Sequence, residues 1–203
     1  MEAGFDKLSD AELLARYAAG EEDAFREIVN RYKDVLYTFL RRFVNRPNLI
    51  EEVFQETFLQ LFMSRDSFDP SRPLRPWLFT IAANKAKDFL RKQHRTATIS
   101  IGAIAEQEEM SFDDVLNCLT SDTRVPYERL EKGETARRVR EVIADMPESL
   151  REILILAYFN KFSYKQMAEI LSIPIGTVKS RLHTAVGRFA KDWKAAVGSK
   201  KLQ

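Results

Sequence analysis

The sequence predicts an all-α protein of two small helical domains joined by a flexible acidic linker. Apolar residues make up 45% of its 203 residues, while glycine and proline are sparse at 7 each, which is typical of a folded chain. In both halves the apolar side chains recur every three or four residues, as they do along amphipathic helices. Between the halves, residues 96–126 have weak periodicity and carry six acidic residues against one basic residue, Arg124, so we expect a linker there.

The first domain, residues 1–95, is predicted to contain four helices. Ser9 and Glu12 have the spacing of a capping box, which begins a helix that ends near Gly20. A second helix over residues 22–44 has a broad apolar stripe and ends before the next proline. The third helix is expected to turn these residues mostly inward: Leu49, Val53, Phe54, Thr57, Leu61 and Phe62.

The third and fourth helices each carry a polar surface. On the third, four residues form a compact acidic and amide patch: Glu51, Glu52, Gln55 and Glu56. The fourth helix is predicted over residues 75–93, after a loop rich in turn-forming residues. Apolar residues cover most of its circumference and leave one narrow polar line: Thr80, Asn84, Lys87 and Arg91. Such a line is unusual for packing alone, and the alternative is a solvated ridge closed by surface cations.

The second domain, residues 127–203, is predicted to begin with helices over 127–145 and 148–159. Two short helices that meet at a tight turn follow them. A capping-box pair begins the first of the two: Ser163 and Gln166. Turn-forming segments end that helix and begin the next: Ser172-Ile173-Pro174 and Gly176-Thr177.

The last helix has an apolar and a polar side. We expect these residues to face inward: Ile175, Val178, Leu182, Val186 and Phe189. The opposite side is polar and has basic flanks: Ser180, His183, Thr184, Gly187 and Lys191, with Lys179, Arg181 and Arg188 beside them. A helix of this kind behind a short turn is typical of the helix-turn-helix, whose second helix fits the major groove of DNA. The alternative is an amphipathic hairpin with a solvated basic face.

Several classes of protein are not expected. The single cysteine, Cys118, excludes an internal disulfide, and with only His94 and His183 beside it no zinc-ligand cluster can be assembled. Neither a signal peptide nor a membrane-spanning run is found, so we expect a cytoplasmic protein without membrane insertion. Neither a nucleophile paired with a base nor a glycine-rich phosphate loop is found, so we expect neither an enzyme nor a cofactor.

Motifs spread over nearly the whole chain have an order and spacing that is highly specific. They are Glu52–Phe58, Phe68–Pro70, Pro76–Asn84, Met146–Glu152, Tyr158–Phe159, Ser163–Tyr164 and Ile173–His183. Together they resemble the bacterial sigma factors of the extracytoplasmic-function class (group 4 of the sigma-70 family), which lacks the middle domain. Three residues depart from the family pattern: Glu52 replaces an aspartate, Met146 a leucine, and Ser172 a glycine.

The resemblance implies a protein that binds core RNA polymerase and directs it to promoter DNA. It places the contact with the coiled coil of the polymerase's largest subunit on the third helix: Glu52, Gln55 and Glu56. It assigns recognition and opening of the −10 element to the fourth helix and the loop before it: Phe68, Asn84, Lys87, Arg91, Lys92 and Arg95. It assigns recognition of the −35 duplex to the last helix: Thr177, Lys179, Ser180, Arg181, His183, Thr184 and Arg188. An anti-sigma factor is a further implied partner.

Some alternatives stay open at this point. Phe68 would either shape a pocket for a base or anchor its own loop, and Arg181 and Arg188 would either contact phosphate or pair within the fold. The acidic linker would either occupy a channel meant for RNA or serve as a passive tether. The rival function is a stand-alone transcription regulator that binds duplex DNA without polymerase. That function explains the second domain but gives no role to Asn84 or to the acidic patch.

Overall fold

Helices form every regular element that the structure describes. The computed structural model describes these residues, among which no strand occurs: 4–44, 47–64, 69, 72–94 and 134–198. The chain divides into two compact units, the first built mainly from the helices up to His94 and the second mainly from the helices from Glu134 onward. The prediction of an all-α fold with two helical domains is confirmed, whereas the predicted linker, residues 96–126, lies outside the described residues.

In its described residues the first unit has four α-helices after a short 3-10 turn. Their bounds are α1 Asp10–Ala18, α2 Glu22–Val44, α3 Pro47–Met63 and α4 Leu74–His94. α3 packs against both α2 and α4, and α1 packs against α2. In the core, the rings of Phe39 and Phe79 are almost fully buried with their centroids 4.8 Å apart. Such aromatic pairs bury a large apolar area, and this one joins α2 directly to α4.

Side chains fix the start of α1. The hydroxyl of Ser9 accepts the Glu12 backbone N–H at 3.3 Å, and the Glu12 carboxylate accepts the Ser9 N–H at 2.7 Å, which confirms the predicted capping box. Asp10 accepts hydrogen bonds from Arg31 at 2.8 Å and from the hydroxyl of Tyr32. Burial, together with this bond, raises the pKa of Tyr32 above its ordinary value. These bonds tie α1 to α2.

Among the described residues, the second unit also has four α-helices. Their bounds are α5 Glu134–Asp145, α6 Glu148–Leu154, α7 Tyr164–Leu171 and α8 Ile175–Gly198. α8 packs against α5 and α6. The core of the unit includes these buried side chains: Val139, Ile153, Met167, Val178 and Phe189. Residues 127–133, which the sequence assigns to the start of α5, lie outside the described residues.

A buried arginine holds the turn between α5 and α6. Arg151 donates hydrogen bonds from Nη1 to the carbonyl oxygens of Ala144 at 3.1 Å and Met146 at 3.3 Å. These carbonyls lie at the C-terminal end of α5, where a positive charge complements the helix dipole. The Met146–Glu152 motif therefore has a structural role in connecting the two helices.

The helix α6 continues past Leu154 with a different geometry. Residues Ile155–Phe159 form a π-helical turn. The buried residue Asn160 closes it by donating its backbone N–H at 3.2 Å and its side-chain amide at 3.1 Å to the carbonyl of Ile155. The sequence predicts a helix up to residue 159 but gives no sign of the π geometry, because an apolar run buried on nearly every side lacks a periodic signal.

The turn between α7 and α8 has the predicted form. Ser163 and Gln166 make the second capping box, with the Ser163 N–H 2.9 Å from the Gln166 side-chain oxygen and the Gln166 N–H 3.3 Å from the Ser163 hydroxyl. α7 ends with Ser172 in the left-handed region at a φ of 54°, and the N–H of Ile173 bonds the carbonyl of Ala168 at 3.1 Å. A residue with a Cβ adopts this conformation at a cost on the order of 1 kcal/mol, which glycine avoids.

Candidate partner and nucleic-acid interfaces

The acidic face of α3, defined as Glu51, Glu52, Gln55 and Glu56, lies on the surface of the first unit. Its first three residues are exposed, and Glu56 is half-buried. The side-chain amide of Gln55 donates a hydrogen bond to the Glu51 carboxylate at 3.0 Å, one helical turn away. On the opposite side of the helix Val53 is fully buried. The predicted polymerase-binding residues therefore share one accessible side of a helix that the core holds in place.

Glu56 is bonded to the neighbouring helix. Its carboxylate lies 3.0 Å from the ammonium of Lys85 on α4, and the two side chains are 40% and 27% exposed. Sequence reasoning missed this ion pair because 29 positions separate the two residues. Solvent reaches both side chains, so the pair contributes at most about 1 kcal/mol to stability. A basic group of a partner can therefore displace Lys85 from Glu56 at small cost.

The polar line of α4 is only partly available to a ligand. Asn84 is exposed, whereas Thr80 donates its hydroxyl to a backbone carbonyl one turn earlier at 2.9 Å. Lys87 is half-buried, and exposed Arg91 lies 3.3 Å from the carboxylate of Asp88. Asn84 is therefore the residue of this line that presents both a donor and an acceptor at the surface.

Three of the residues predicted to bind the −10 element lie at or beyond the edges of the described ranges. Phe68 and Arg95 lie outside the described residues, and Lys92 is described only as part of the α4 backbone. Arg75, in the first turn of α4, has a structural role that sequence reasoning missed. Its guanidinium carbon lies 5.5 Å from the centre of the Phe79 ring, and burial lowers its pKa. Arg75 therefore helps to anchor the start of α4 on the core.

The outer side of α8 carries the residues predicted to face bases. Lys179, Ser180, His183 and Thr184 are all exposed, and their spacing places them on one side of the helix. The hydroxyl of Ser180 donates to the carbonyl of Thr177 at 3.2 Å, and that of Thr184 donates to the carbonyl of Ser180 at 3.0 Å. Each hydroxyl keeps acceptor capacity and can rotate, so both are able to bond a base edge.

The two arginines on the flanks of α8 have different surroundings. Arg188 is exposed, and its Nε lies 2.6 Å from the carboxylate of Asp192, one turn further along the helix. Arg181 is half-buried, as is Thr177 in the first turn. Of the two alternatives that the sequence allows for Arg188, phosphate contact or pairing within the fold, the structure shows an internal pair.

Two of the expected core residues are exposed. Ile175 was predicted to face inward, but 44% of its surface is accessible, because it is the first residue of α8 and the packed part of the helix begins one turn later at Val178. Phe62 is 48% exposed near the end of α3, although its ring lies 5.8 Å from that of Tyr17 and 5.4 Å from that of Phe25. Both inward predictions are wrong.

The described ranges contain neither a helix suited to crossing a membrane nor a metal-binding cluster. Within them, no helix combines the length and the apolar character that crossing a bilayer requires. The same ranges contain no group of three or more histidine, cysteine or acidic residues arranged to hold a metal ion.

Known proteins show where this chain belongs. The family model described as Sigma-70 region 2 matches residues 28–96, and that described as Sigma-70, region 4 matches residues 136–188. The chain is 30% identical to the ECF RNA polymerase sigma factor SigW of Bacillus subtilis over 164 residues, which cover 81% of this chain and 86% of the relative. The chain belongs to the extracytoplasmic-function sigma factors.

Further relatives agree with this assignment. The sigma factor is 33% identical to the ECF RNA polymerase sigma-E factor of Haemophilus influenzae over 89% of its own length and 93% of the relative. The solved structure of CnrH in complex with the cytosolic domain of CnrY matches it with a TM-score of 0.64 at 25% identity, over 92% of this chain and 97% of that one. The sigma factor RpoE of Bartonella quintana, solved with the anti-sigma factor NepR, shares the fold with a TM-score of 0.60 at 24% identity, over 84% of this chain and 96% of that one.

Membership of this family settles the general function. The protein is a sigma factor that binds core RNA polymerase and directs promoter-specific transcription initiation. A stand-alone regulator that binds DNA without polymerase is not favoured, because the match includes region 2 as well as the helix-turn-helix of region 4.

Proposed function

We propose that the two units divide the work of this sigma factor. Residues 1–95 bind core polymerase and open the −10 element, residues 127–203 recognise the −35 duplex, and residues 96–126 link them. The main support for the proposal is the orientation of α8. One side of this helix is buried in the second unit, and the other side presents Lys179, Ser180, His183 and Thr184. A helix presented in this way behind a short turn suits the DNA major groove.

Core polymerase would be bound by the acidic face of α3. Glu52, Gln55 and Glu56 would meet arginines on the coiled coil of the largest subunit, in charge-assisted hydrogen bonds. In support, Glu52 and Gln55 are exposed and Glu56 is half-buried on one side of α3. Since Glu56 is bonded to Lys85, the polymerase would have to replace an internal partner at that residue but not create a new conformation of the helix.

The −10 element would be opened by α4 and the loop before it. Unstacking a base costs a few kcal/mol, so a protein that opens DNA must hold the displaced base. Exposed Asn84 supplies a donor and an acceptor for a base edge. Lys87, Arg91, Lys92 and Arg95 would bind the phosphate backbone, and Phe68 would shape the pocket. Arg91 would exchange Asp88 for a phosphate in doing so.

The −35 element would be recognised as duplex DNA. Lys179, Ser180, His183 and Thr184 would contact base edges, because they are exposed along the outer side of α8. Thr177, Arg181 and Arg188 lie at its start and flanks and would contact phosphates, which position the helix without selecting a sequence.

Further proposals concern the setting in which the protein works. An anti-sigma factor would hold it inactive; in support, a solved protein of the same fold was crystallised with one. We place the sigma factor in the cytoplasm, where its polymerase acts. We also propose that it has no catalytic activity and needs no cofactor of its own, since its family binds a polymerase and DNA.

The proposed role of the first unit is tested by measuring how well the holoenzyme opens the −10 element. Holoenzyme reconstituted with Asn84→Ala should show permanganate reactivity of −10 thymines and run-off transcription that are reduced about two- to tenfold, which corresponds to the loss of one hydrogen bond. Core binding, measured by pull-down, should not change. Asn30→Ala is the matched control, because Asn30 is also an exposed asparagine of the first unit. Unchanged thymine reactivity in the Asn84 variant would remove Asn84 from the proposed site.

A further inference from the structure

Ile175 is an aliphatic side chain at the start of the recognition helix. It is 44% exposed, whereas Val178 and Leu182 on the same helix are buried. One turn further along lies exposed Lys179, which shares a side of the helix with Ile175 because four positions separate them. The exposed isoleucine therefore adjoins the polar surface that is proposed to face bases.

The first turn of α8 is open to an approaching molecule. A Cβ added at Gly176, the next residue, would have no atom within 4 Å, and Gly176 itself is exposed. The first turn contains no acidic residue that would repel DNA. In helix-turn-helix proteins it is the N-terminal residues of the second helix that contact base edges. Ile175 thus occupies an accessible position of the kind from which such proteins read a base.

The chemistry of an aliphatic group narrows the choice of base. Isoleucine has neither a donor nor an acceptor, so it can discriminate only through apolar contact. In the major groove the apolar feature of a base edge is the C5-methyl group of thymine.

We propose that Ile175 is a further specificity-determining residue, which contacts the C5-methyl group of a thymine in the −35 element. This inference rests on the proposed function of the second unit. Four residues of helix rise about 6 Å, and successive base pairs of B-DNA are about 3.4 Å apart. The thymine should therefore lie within about two base pairs of the base that Lys179 contacts.

Replacing thymine with uracil tests the contact, because the exchange removes only the methyl group. The preferred −35 sequence is first selected from a promoter library with wild-type holoenzyme, and each thymine in it is then replaced singly in duplex fragments. One of these thymines should lie close to the base pair at which Lys179→Ala changes the sequence preference. Uracil at that position should lower the affinity of wild-type holoenzyme about fourfold, as expected for the loss of one methyl contact. Ile175→Ala should bind the thymine duplex about fourfold more weakly and should not distinguish thymine from uracil there. Ile175→Val should retain part of the difference.

Val197→Ala is the matched control, because Val197 is 41% exposed at the far end of the same helix. With this variant, replacing the thymine by uracil should lower the affinity as much as it does with the wild type. The inference is overturned if the selected sequence has no thymine within two base pairs of the Lys179-dependent base, or if Ile175→Ala keeps the wild-type ratio. A holoenzyme with no sequence preference at −35 would be a different result: it would overturn the proposed function of the second unit and this inference with it.

Discussion

The candidate binding surfaces of the two units differ in how far their charges are already used within the fold. In the first unit Glu56 bonds Lys85, and Arg91 bonds Asp88. On α8, by contrast, Lys179 and His183 form no ion pair with any residue that the structure describes, and on that helix it is the flanking residue Arg188 that is paired. Binding in the first unit is therefore an exchange of ion-pair partners, whereas Lys179 and His183 on α8 can bind without giving up an internal ion pair.

The largest expected effect concerns the centre and the flank of α8. Lys179→Ala should change the preferred −35 sequence, with a loss of about 1–3 kcal/mol of discrimination at one base pair. Arg188→Ala should weaken binding to all sequences alike and lower the salt slope by about 1, because it removes a phosphate contact. Affinities of holoenzyme for a set of −35 variants at several salt concentrations measure both. The division into base-reading centre and phosphate-binding flank is wrong if the two variants behave alike.

A second prediction compares the ends of two helices. α1 is followed by Gly20 with a φ of 99°, whereas α7 is followed by Ser172 with a φ of 54°. Ser172→Gly should stabilise the second unit by about 1 kcal/mol, since glycine adopts a positive φ without strain. Gly20→Ser should destabilise the first unit by a similar amount. Thermal unfolding of both variants gives the comparison, and a Ser172→Gly variant that unfolds more readily would show that its side chain stabilises the turn in another way.

A third prediction tests whether core polymerase must displace Lys85 from Glu56 in the first unit. Lys85→Gln removes the competitor for Glu56, so affinity for core polymerase should rise by up to about fivefold, corresponding to a surface ion pair of about 1 kcal/mol or less. The affinity is measured by titrating core polymerase with the sigma factor in the absence of DNA. Lys87→Gln, on the same helix, is the control: Lys87 is proposed to contact only DNA, so its replacement should leave this affinity unchanged. A weaker complex with Lys85→Gln would mean that Lys85 itself contacts the polymerase or orients Glu56 for it.

The smallest effect distinguishes the two capping boxes. Hydrogen bonds from Ser9 lower the pKa of Glu12 below its ordinary value of 4.5. A lowered folded-state pKa stabilises the fold above the ordinary value, and this contribution is lost as the pH falls through the folded pKa. The box of α7 has Gln166 in the same position, which does not titrate. Acid should therefore loosen α1 but not the start of α7, as amide hydrogen exchange below pH 4.5 would detect. Glu12→Gln should abolish the difference.

Local features could be predicted from the sequence, and contacts between distant residues could not. The capping pairs Ser9–Glu12 and Ser163–Gln166 depend on residues three positions apart, so spacing alone indicates them. Ser172, which stands where the family usually has glycine, adopts the left-handed conformation that glycine favours. The Glu56–Lys85 pair depends instead on how α3 and α4 pack, which no local pattern records.

Exposure at the candidate sites was predicted less well than helix position. Ile175 has the spacing of a core residue, yet helical spacing does not tell where the neighbouring helices stop covering α8. Arg75 was overlooked for the opposite reason, since a cation is ordinarily expected at the surface and this one lies against Phe79. Periodicity thus predicted which side of a helix packs, but not how far along the helix the packing extends.

The π-helical turn at Ile155–Phe159 affects how the second unit would respond to a change in chain length. A π turn holds one residue more than an α-helical turn of the same helix would. Loss of a single residue here, for example Ala157, would let the segment close as an ordinary turn and leave the direction of the following chain almost unchanged. The same loss inside α7 would rotate everything after it by about 100°. The segment before Asn160 is therefore the place where this unit should best tolerate the loss of one residue.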